Sequence, residues 1–205
     1  MSSINFATKE IVCKIVYYGP ALSGKTTNLS YIHSQVPTNQ KSGMISLATE
    51  GDRTLYFDFL PLETAVLKGF KTKFQLYTVP GQVYYNATRK LVLRGVDGIV
   101  LVADSQWERQ KASYESFMNM FENLKEYDYD INDIPYILQY NKRDLPNIAP
   151  PSYMDFLLNR REKRVPTFLS IAINGEGVFT TLNTICKLVL VKLAKEGIIE
   201  QEEGG

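Results

Sequence analysis

A glycine-rich segment near the amino terminus has the spacing of a phosphate-binding loop. Residues 19–27 read GPALSGKTT, which fits G-x-x-x-x-G-K-[ST] between a predicted strand and a predicted helix. In such a loop the glycines let backbone N–H groups turn toward phosphate oxygens, the lysine reaches the outer phosphates, and the following hydroxyl binds Mg²⁺. The predicted phosphate-site residues are Gly19, Ala21, Leu22, Ser23, Gly24, Lys25, Thr26 and Thr27, with Thr26 as metal ligand.

A second polar motif, Asn-Lys-Arg-Asp at 141–144, follows a predicted buried strand. The Asp144 carboxylate can accept hydrogen bonds from N1–H and the exocyclic amine of guanine, an edge that adenine lacks. Asn141 can bond the base and tie this loop to the phosphate loop, and the stem of Lys142 can cover one face of the base. The backbone N–H of Ala172 can donate to guanine O6, although a plain strand end explains that stretch as well. A charged turn is the alternative for the motif itself; the phosphate loop upstream favours guanine-nucleotide binding.

The stretch QLYTVPGQVYY, residues 75–85, reads as a strand that runs into a turn. There the Gly81 N–H can bond a γ-phosphate, and the Gln82 side chain can orient an attacking water. In sites that sense a γ-phosphate, the strand before the turn usually ends in an Asp that anchors magnesium. Here that position is Thr78. Either Thr78 holds a metal-bound water or a neighbouring carboxylate, Asp58 or Asp52, supplies the charge; of these we favour Asp58 acting through water.

Strand-like and helix-like segments alternate along the chain, as expected for βαβ units. Strands are predicted at 10–18, 55–60, 71–79, 98–103, 134–140 and 166–173, and helices at 25–34, 83–94, 108–126, 153–161 and 178–195. The connection that contains Gly69 suits an antiparallel hairpin. The predicted fold is a single α/β domain over residues 1–205, a doubly wound, mainly parallel six-stranded P-loop sheet with one antiparallel edge strand. Ligands of such sheets bind outside the carboxyl ends of the strands.

Composition limits the classes of partner. The formal net charge of +1 gives no reason to expect a nucleic-acid or membrane partner, and we expect no signal peptide, membrane span or lipid anchor. Cys13 and Cys186 are predicted to be buried and reduced. The lone histidine, His33, is interpreted as structural, and Trp107 as a surface residue near a possible partner face. Residues 161–164, REKR, are interpreted as a solvated helix end.

Several long stretches together resemble the small Ras-like GTPases, and more closely the bacterial MglA group of polarity and motility switches. They are KIVYYGPALSGKTTNL, TEGDRTLYFDFLPL, GFKTKFQLYTVPGQVYYNATRKLVLRGVDG, VADSQWER, IPYILQYNKRDLP and NGEGVF. The resemblance covers nearly the whole chain and implies a Ras-like sheet. It also implies that Thr78 is a trait of the group and not a defect.

The resemblance implies further residue roles in a first switch, the polar stretch 37–54. Thr54 is the candidate to bind Mg²⁺ and the γ-phosphate, with Thr49 and Ser46 as less favoured substitutes. Arg53 is implied as an arginine finger supplied by the enzyme itself, which neutralises charge during hydrolysis. In the group, the second strand shifts register between nucleotide states. Aromatic residues on both faces of TLYFDFLPL would permit such a shift here.

The function implied is a switch that binds GTP or GDP with Mg²⁺ and hydrolyses GTP slowly alone. An MglB-like roadblock-domain homodimer is implied as the activator, and polar effectors as partners of the GTP state. The protein is expected to be a cytoplasmic monomer when alone, recruited to a cell pole. Tyr84 and Tyr85 are either partner anchors or packed against the neighbouring helix. A hydrolysis-deficient nucleotide-binding module is the alternative function, and a P-loop kinase is disfavoured because no arginine-rich lid segment is visible.

Overall fold

The computed structural model describes residues 3–49, 52–59, 66–67, 69–82, 85–160 and 164–196 of the chain. Residues 3, 46–49, 52–59 and 66–67 are described by their backbone alone. The predictions made for Val83 and Tyr84, for residues 161–163 and for the segment from residue 197 onward lie outside the described residues.

The described elements alternate between strands and helices, as the sequence pattern predicts. The strands are β1 (Ser3–Asn5), β2 (Glu10–Tyr18), β3 (Ile45–Thr49), β4 (Asp52–Phe59), β5 (Val66–Leu67), β6 (Phe70–Thr78), β7 (Gly98–Asp104), β8 (Tyr136–Asn141) and β9 (Thr167–Leu169). The helices are α1 (Lys25–Gln35), α2 (Asn86–Leu93), α3 (Gln110–Lys125), α4 (Pro151–Leu158) and α5 (Val178–Lys195). Short 3₁₀ turns lie at Thr38–Gln40 and Trp107–Arg109.

One sheet contains these strands, in the order β3-β4-β6-β2-β7-β8-β9. Strands β6, β2, β7, β8 and β9 run parallel, and β4 pairs antiparallel with β6. These six strands confirm the predicted mainly parallel sheet with an antiparallel strand. The short strands β1, β3 and β5 add antiparallel pairs to it. Because the parallel strands share one direction, their carboxyl ends meet at one edge, where the loops after β2, β6, β7, β8 and β9 converge.

The stretch 37–54, predicted as a polar switch loop, holds more regular structure than the sequence indicated. Residues 45–49 form β3, and β4 begins at Asp52 instead of residue 55. The two strands pair as a hairpin in which Ala48 lies opposite Arg53. An isolated pattern of small and apolar residues gives a weak strand signal, because strand preference depends mostly on the neighbouring strand.

Helices cover both faces of the sheet, and alternation along the strands assigns each side chain to a face. On β2, Ile15 and Tyr17 pack with α1 and α5, whereas Val16 and Tyr18 pack with α2, α3 and α4. Every residue of β7 is buried, as its continuous apolar run predicts. Both cysteines are buried thiols outside any disulfide bond, which confirms that prediction. The sheet is therefore doubly wound.

The last strand is shorter than predicted. A strand over 166–173 was expected, but β9 ends at Leu169, and Ile171 instead pairs with Glu176 in an isolated bridge. The chain leaves the sheet there because Ser170 and Ala172 both bond the side chain of Asn141.

Two predictions about single residues, Trp107 at the surface and His33 as structural, agree with the structure. Trp107 is 42% exposed, and its ring centroid lies 4.6 Å from that of Tyr153 on α4. The His33 ring nitrogen Nε2 lies 3.1 Å from the backbone oxygen of Ser42, so the histidine ties α1 to the loop that follows. Within the described part of the chain, no helix has the length and apolar character needed to cross a membrane.

Candidate functional site

The loop between β2 and α1 is shaped by two glycines with positive φ, Gly19 at 146° and Gly24 at 102°. A Cβ atom on Gly19 would lie 2.2 Å from the backbone oxygen of Val102, and one on Gly24 would lie 2.1 Å from Nδ2 of Asn141. Side chains at these positions would collide with the neighbouring strand ends. Only glycine therefore lets the loop curl tightly between β7 and β8, as a phosphate-binding loop requires.

The lysine of the loop points inward. Lys25 is 6% exposed, and its ammonium donates to the backbone oxygens of Gly19, at 3.0 Å, and Pro20, at 2.7 Å. The charge is thus held inside the loop, next to the first N–H groups of α1. A helix amino terminus and a cation together form an anion site.

Asn141, at the end of β8, joins the phosphate loop to the loops that follow β8 and β9. Its Nδ2 donates to the backbone oxygen of Ser23 at 2.8 Å. Its Oδ1 accepts from the Ser170 hydroxyl at 3.0 Å and from the Ala172 N–H at 2.9 Å. This is the tie to the phosphate loop that the sequence predicts for Asn141.

The structure shows a contact of Ala172 that the sequence did not predict. Its N–H donates to Oδ1 of Asn141 at 2.9 Å. The bond from this N–H to guanine O6 stays a prediction. Ala172 still lines the pocket, where its contribution is to fix the orientation of Asn141.

A buried carboxylate at the end of β7 forms an ion pair with the base motif. Asp104 ends β7 and is completely buried, and its Oδ2 lies 2.7 Å from Nζ of Lys142. The Nε of Arg109 lies 4.0 Å from the same oxygen, and Nη2 of Arg109 donates to the backbone oxygen of Ala21 at 2.7 Å. Asp104 thereby fixes the head of Lys142, so that the stem of Lys142 lies along the pocket, and Arg109 extends the contact to the phosphate loop.

Between these loops lies a pocket of about 400 Å³. It is lined by Leu22, Gly24, Lys25, Thr26, Thr27, Asn141, Lys142, Asp144, Leu145, Ile171, Ala172 and Ile173. Asp144 is exposed at the rim, where its carboxylate can accept hydrogen bonds. Leu22 and Ile173 are 78% and 79% exposed, which leaves apolar surface for a flat ring. The pocket thus combines a phosphate cradle, a carboxylate acceptor and apolar surface.

The segment after β6 lies against the phosphate loop. A Cβ atom on Gly81 would be 2.3 Å from Cα of Ala21 and 2.4 Å from its nitrogen. The backbone of Gly81 therefore fits against the phosphate loop because it carries no side chain. Gln82, the next residue, is half-buried, and Thr78 at the end of β6 is fully buried.

The candidate residues of the first switch lie on β3 and β4, where the structure describes the backbone only. Arg53 and Thr54 stand opposite Ala48 and Leu47 of β3, beyond the four residue pairs that join β4 to β6. Since β4 runs antiparallel to β6, this part of β4 extends past the end of β6. The side chains of Arg53, Thr54, Thr49, Ser46 and Asp52 lie outside the described residues.

Asp58 is not brought to the end of β6 in this register. It pairs with Gln75, three residues before Thr78, and three strand residues span about 10 Å. The backbone of Asp58 is thus displaced along the sheet from the position where the usual Asp would stand. The described register does not favour Asp58 as the metal ligand.

The donors near the phosphate loop fit magnesium better than a metal held entirely by protein. Among the described residues, no group of three or more His, Cys, Asp or Glu side chains forms a metal cluster. Thr26 is exposed at the first turn of α1 and offers a hydroxyl oxygen. Magnesium is commonly held by one or two protein oxygens together with phosphate oxygens and waters. Thr26 is therefore a suitable ligand.

Sequence patterns located the phosphate loop, the base motif and the turn at Gly81, and the structure brings these three together at one edge of the sheet. They missed Asp104, Arg109 and Arg89, whose contacts join residues far apart in the chain. For Asp104 a signal existed, because a carboxylate that ends a continuous apolar strand must be paired when buried.

Comparison with known proteins agrees with this geometry. Residues 14–184 match the model of the Ras family. The chain is also 56% identical over 197 residues to the mutual gliding-motility protein MglA of Myxococcus xanthus (strain DK1622), an alignment that covers 96% of this chain and 100% of the relative. Because both the matched length and the identity are high, and because the phosphate loop and base motif share one pocket, the chain belongs to the Ras family of small GTPases.

Proposed function

We propose that this GTPase binds GTP with Mg²⁺ as a single domain over residues 1–205, hydrolyses it slowly and presents a GTP-state surface to effectors. One observation carries the proposal. The Asn141 amide joins Ser23 of the phosphate loop and Ala172 of the base loop around one pocket of about 400 Å³. The phosphate loop and the base loop can therefore contact the same ligand. The volume of the pocket is typical of small-molecule sites.

Guanine selectivity is assigned to Asp144, whose exposed carboxylate stands at the pocket rim. It accepts from N1–H and the exocyclic amine of guanine, while adenine presents an acceptor at the first of these positions. Lys142 lies along the pocket with its ammonium held by Asp104, so its stem covers one face of the base.

Hydrolysis is assigned to the switch side. The Gly81 N–H bonds the γ-phosphate, the Gln82 amide orients the attacking water, and Arg53 neutralises charge on the transferring phosphoryl group. The residues that would hold Mg²⁺ are Thr26 and Thr54, and the ion would neutralise charge on the β- and γ-phosphate oxygens. The position of Gly81 against Ala21 supports this arrangement, because it puts the turn beside the phosphate loop.

A single-turnover assay tests hydrolysis directly. Protein loaded with one equivalent of GTP is expected to release one equivalent of phosphate, and to release it faster when an MglB-like homodimer is added. A Lys25→Ala variant, which loses the loop ammonium, serves as the binding-deficient control.

A hydrolysis-deficient binding module is the second candidate, and one observation favours it. Thr78 stands, fully buried, where a carboxylate usually anchors the metal, so a weaker metal site would spare binding and reduce turnover. In the same assay this candidate predicts GTP that stays bound and intact both with and without the activator, a result that would refute the enzyme.

The partners are proposed from the likeness to the MglA group. We expect a monomer when alone, activated by an MglB-like roadblock-domain homodimer, and polar effectors that bind the GTP form in the cytoplasm. Light scattering gives the mass of the protein alone and of its mixture with an MglB-like homodimer. The mixture is measured once with a non-hydrolysable GTP analogue and once with GDP. Stable complex formation that is equal in both nucleotide states would contradict a switch.

The cellular role is proposed from the relative whose name refers to gliding motility. We propose that this chain likewise controls polarity or motility by gathering at one cell pole in its GTP form. A fluorescent fusion of Gln82→Leu, compared with the unaltered protein, is expected to show stronger polar enrichment. Even distribution of the Gln82→Leu fusion would contradict this role.

A further inference from the structure

Arg89 of α2 is a buried cation that binds the backbone of the switch. It is 3% exposed. Its Nε donates to the backbone oxygen of Pro80 at 2.8 Å, and Nη2 donates to the backbone oxygen of Gly81. Nη1 donates to Oδ1 of Asn119 on α3 at 2.8 Å. Within the described part of the chain, the guanidinium of Arg89 is thus bound by three carbonyl oxygen atoms.

A polar cluster on three elements holds Arg89 in this orientation. The Tyr18 hydroxyl donates to Oδ1 of Asn119 at 2.7 Å, and Nδ2 of Asn123 donates to Tyr18 at 3.0 Å and to Oδ1 of Asn86 at 2.8 Å. The guanidinium carbon lies 5.7 Å from the centroid of the Tyr18 ring. Burial raises the pKa of Tyr18, so its hydroxyl remains a neutral donor. The cluster therefore leaves Arg89 little freedom to turn.

The hydrogen bond from Arg89 to the Pro80 oxygen has a geometric consequence for Gly81. The peptide between them is trans and planar, so its C=O and N–H point in opposite directions. Because Arg89 holds the Pro80 oxygen from the α2 side, the Gly81 N–H is turned away from Arg89. Gly81 itself lies against Ala21 of the phosphate loop. The direction of this N–H is thus set by an arginine outside the nucleotide pocket.

We propose that Arg89 is a positioning residue for GTP hydrolysis. It fixes the Pro80–Gly81 peptide so that the Gly81 N–H meets the γ-phosphate and Gln82 is aligned with the attacking water. The inference rests on the proposed function, in which those two groups act on GTP. A guanidinium suits this task because its fixed fork bonds two carbonyl oxygens at once, whereas a lysine ammonium is a single point charge on a flexible stem.

The test compares Arg89→Lys with the unaltered protein in three measurements: affinity for GDP, affinity for a non-hydrolysable GTP analogue, and single-turnover hydrolysis. We expect the affinity for GDP to stay nearly unchanged, because GDP lacks the γ-phosphate. The preference for the analogue over GDP should fall about 10-fold, and hydrolysis should slow about 100-fold, as expected when a reacting group is misplaced by about an ångström.

Two further variants keep the test decisive. Arg94→Lys makes the same substitution at an exposed residue just after α2, and it should behave like the unaltered protein. Asn119→Ala removes one acceptor of Arg89 and should shift the same two quantities in the same direction by a smaller factor.

Two outcomes would overturn the proposal. One is Arg89→Lys with unaltered hydrolysis and unaltered preference for the analogue. The other is an equal loss of affinity for GDP and for the analogue together with a lower Tm, which would make Arg89 structural only. If the unaltered protein binds GTP without hydrolysing it, the proposed enzyme fails, but the preference for the analogue over GDP still tests Arg89.

Discussion

The two halves of the nucleotide edge are held together in different ways. On the base side, loops are tied directly to one another: Asn141 bonds Ser23 and Ala172, and Asp104 holds Lys142 from a completely buried position. On the switch side, the turn at Gly81 is held through its backbone oxygens by a residue of α2. Under the proposed function, these base-side contacts do not involve the γ-phosphate, so we expect this half to hold either nucleotide while the other half responds.

The two sides of the sheet also differ in strand direction. Strand β8 pairs in parallel with β7 over six residue pairs and with β9 over three. Strand β4 pairs antiparallel with both neighbours, over five residue pairs with β3 and over four with β6, from Tyr56 with Tyr77 to Phe59 with Phe74. Among the described residues β3 is paired to β4 alone, so a slip of β4 along β6 would break the four pairs with β6 and carry β3 with it. We therefore expect the register change implied by the likeness to the MglA group to occur here.

The largest expected effect is on the choice of base, and it comes from a substitution on the base side. In Asp144→Asn, an amide that accepts and donates replaces a carboxylate that only accepts, so preference should move from GTP toward XTP by about 10⁴-fold. Competition binding of the two nucleotides measures this. Asp130→Asn, in an exposed loop, is the matched control. If Asp144→Asn keeps its selectivity for GTP, the base site has been misplaced.

The next largest effect is on the rate of hydrolysis, and it comes from a substitution on the switch side. Arg53→Ala should slow hydrolysis about 10³-fold, because an arginine finger acts on charge that develops only in the transition state. Affinity for GTP should change little, which distinguishes this residue from the base-side groups. Single-turnover hydrolysis and equilibrium binding are measured together, with Arg94→Ala as the exposed control. A large loss of affinity would instead indicate a binding or folding role.

Gln82→Leu should have a smaller effect on the same half. Loss of the amide that orients water should slow hydrolysis about 100-fold and leave the protein mostly in its GTP form. Nucleotide content after a fixed incubation measures this, and Gln35→Leu at the exposed end of α1 is the control. Turnover equal to that of the unaltered protein would refute the water-orienting role.

Asp104→Asn should give the smallest effect, a loss of nucleotide affinity. It tests whether the base side acts independently of the switch side. Without the carboxylate, the Lys142 ammonium loses a charged partner, and a bond of that kind contributes about 1.5 kcal/mol, or roughly 10-fold in affinity. Since the contact lies on the base side, affinity for GDP and for GTP should fall equally. Titration with both nucleotides tests this, again with Asp130→Asn as control. A loss confined to GTP would place Asp104 in the switch half.

The sequence predicted those parts of the site that are encoded by short spacings. The phosphate loop and the base motif were found because each needs a few residue types at fixed intervals beside a strand or a helix. Strand β3 was missed because its partner β4 provides most of its stabilisation, and β9 was predicted too long because Asn141 draws the chain out of the sheet.

The supporting side chains were missed for a related physical reason. Arg89 and Asp104 act through groups brought near by folding, and periodicity along the chain predicts the kind of element without naming its tertiary neighbours. Ala172 illustrates the limit most clearly, because its identity as a pocket residue was predicted while the contact of its N–H with Asn141 was not.

The tight approach of Gly24 to Asn141 has a consequence for protein engineering. A methyl group on Gly24 would occupy the place of the Asn141 amide, which also supports Ser23 and Ala172. Any attempt to redesign the phosphate cradle at this glycine would therefore alter the guanine pocket as well. Changes intended to accept a different base would need to keep this glycine, so the two recognition elements must be redesigned as one unit.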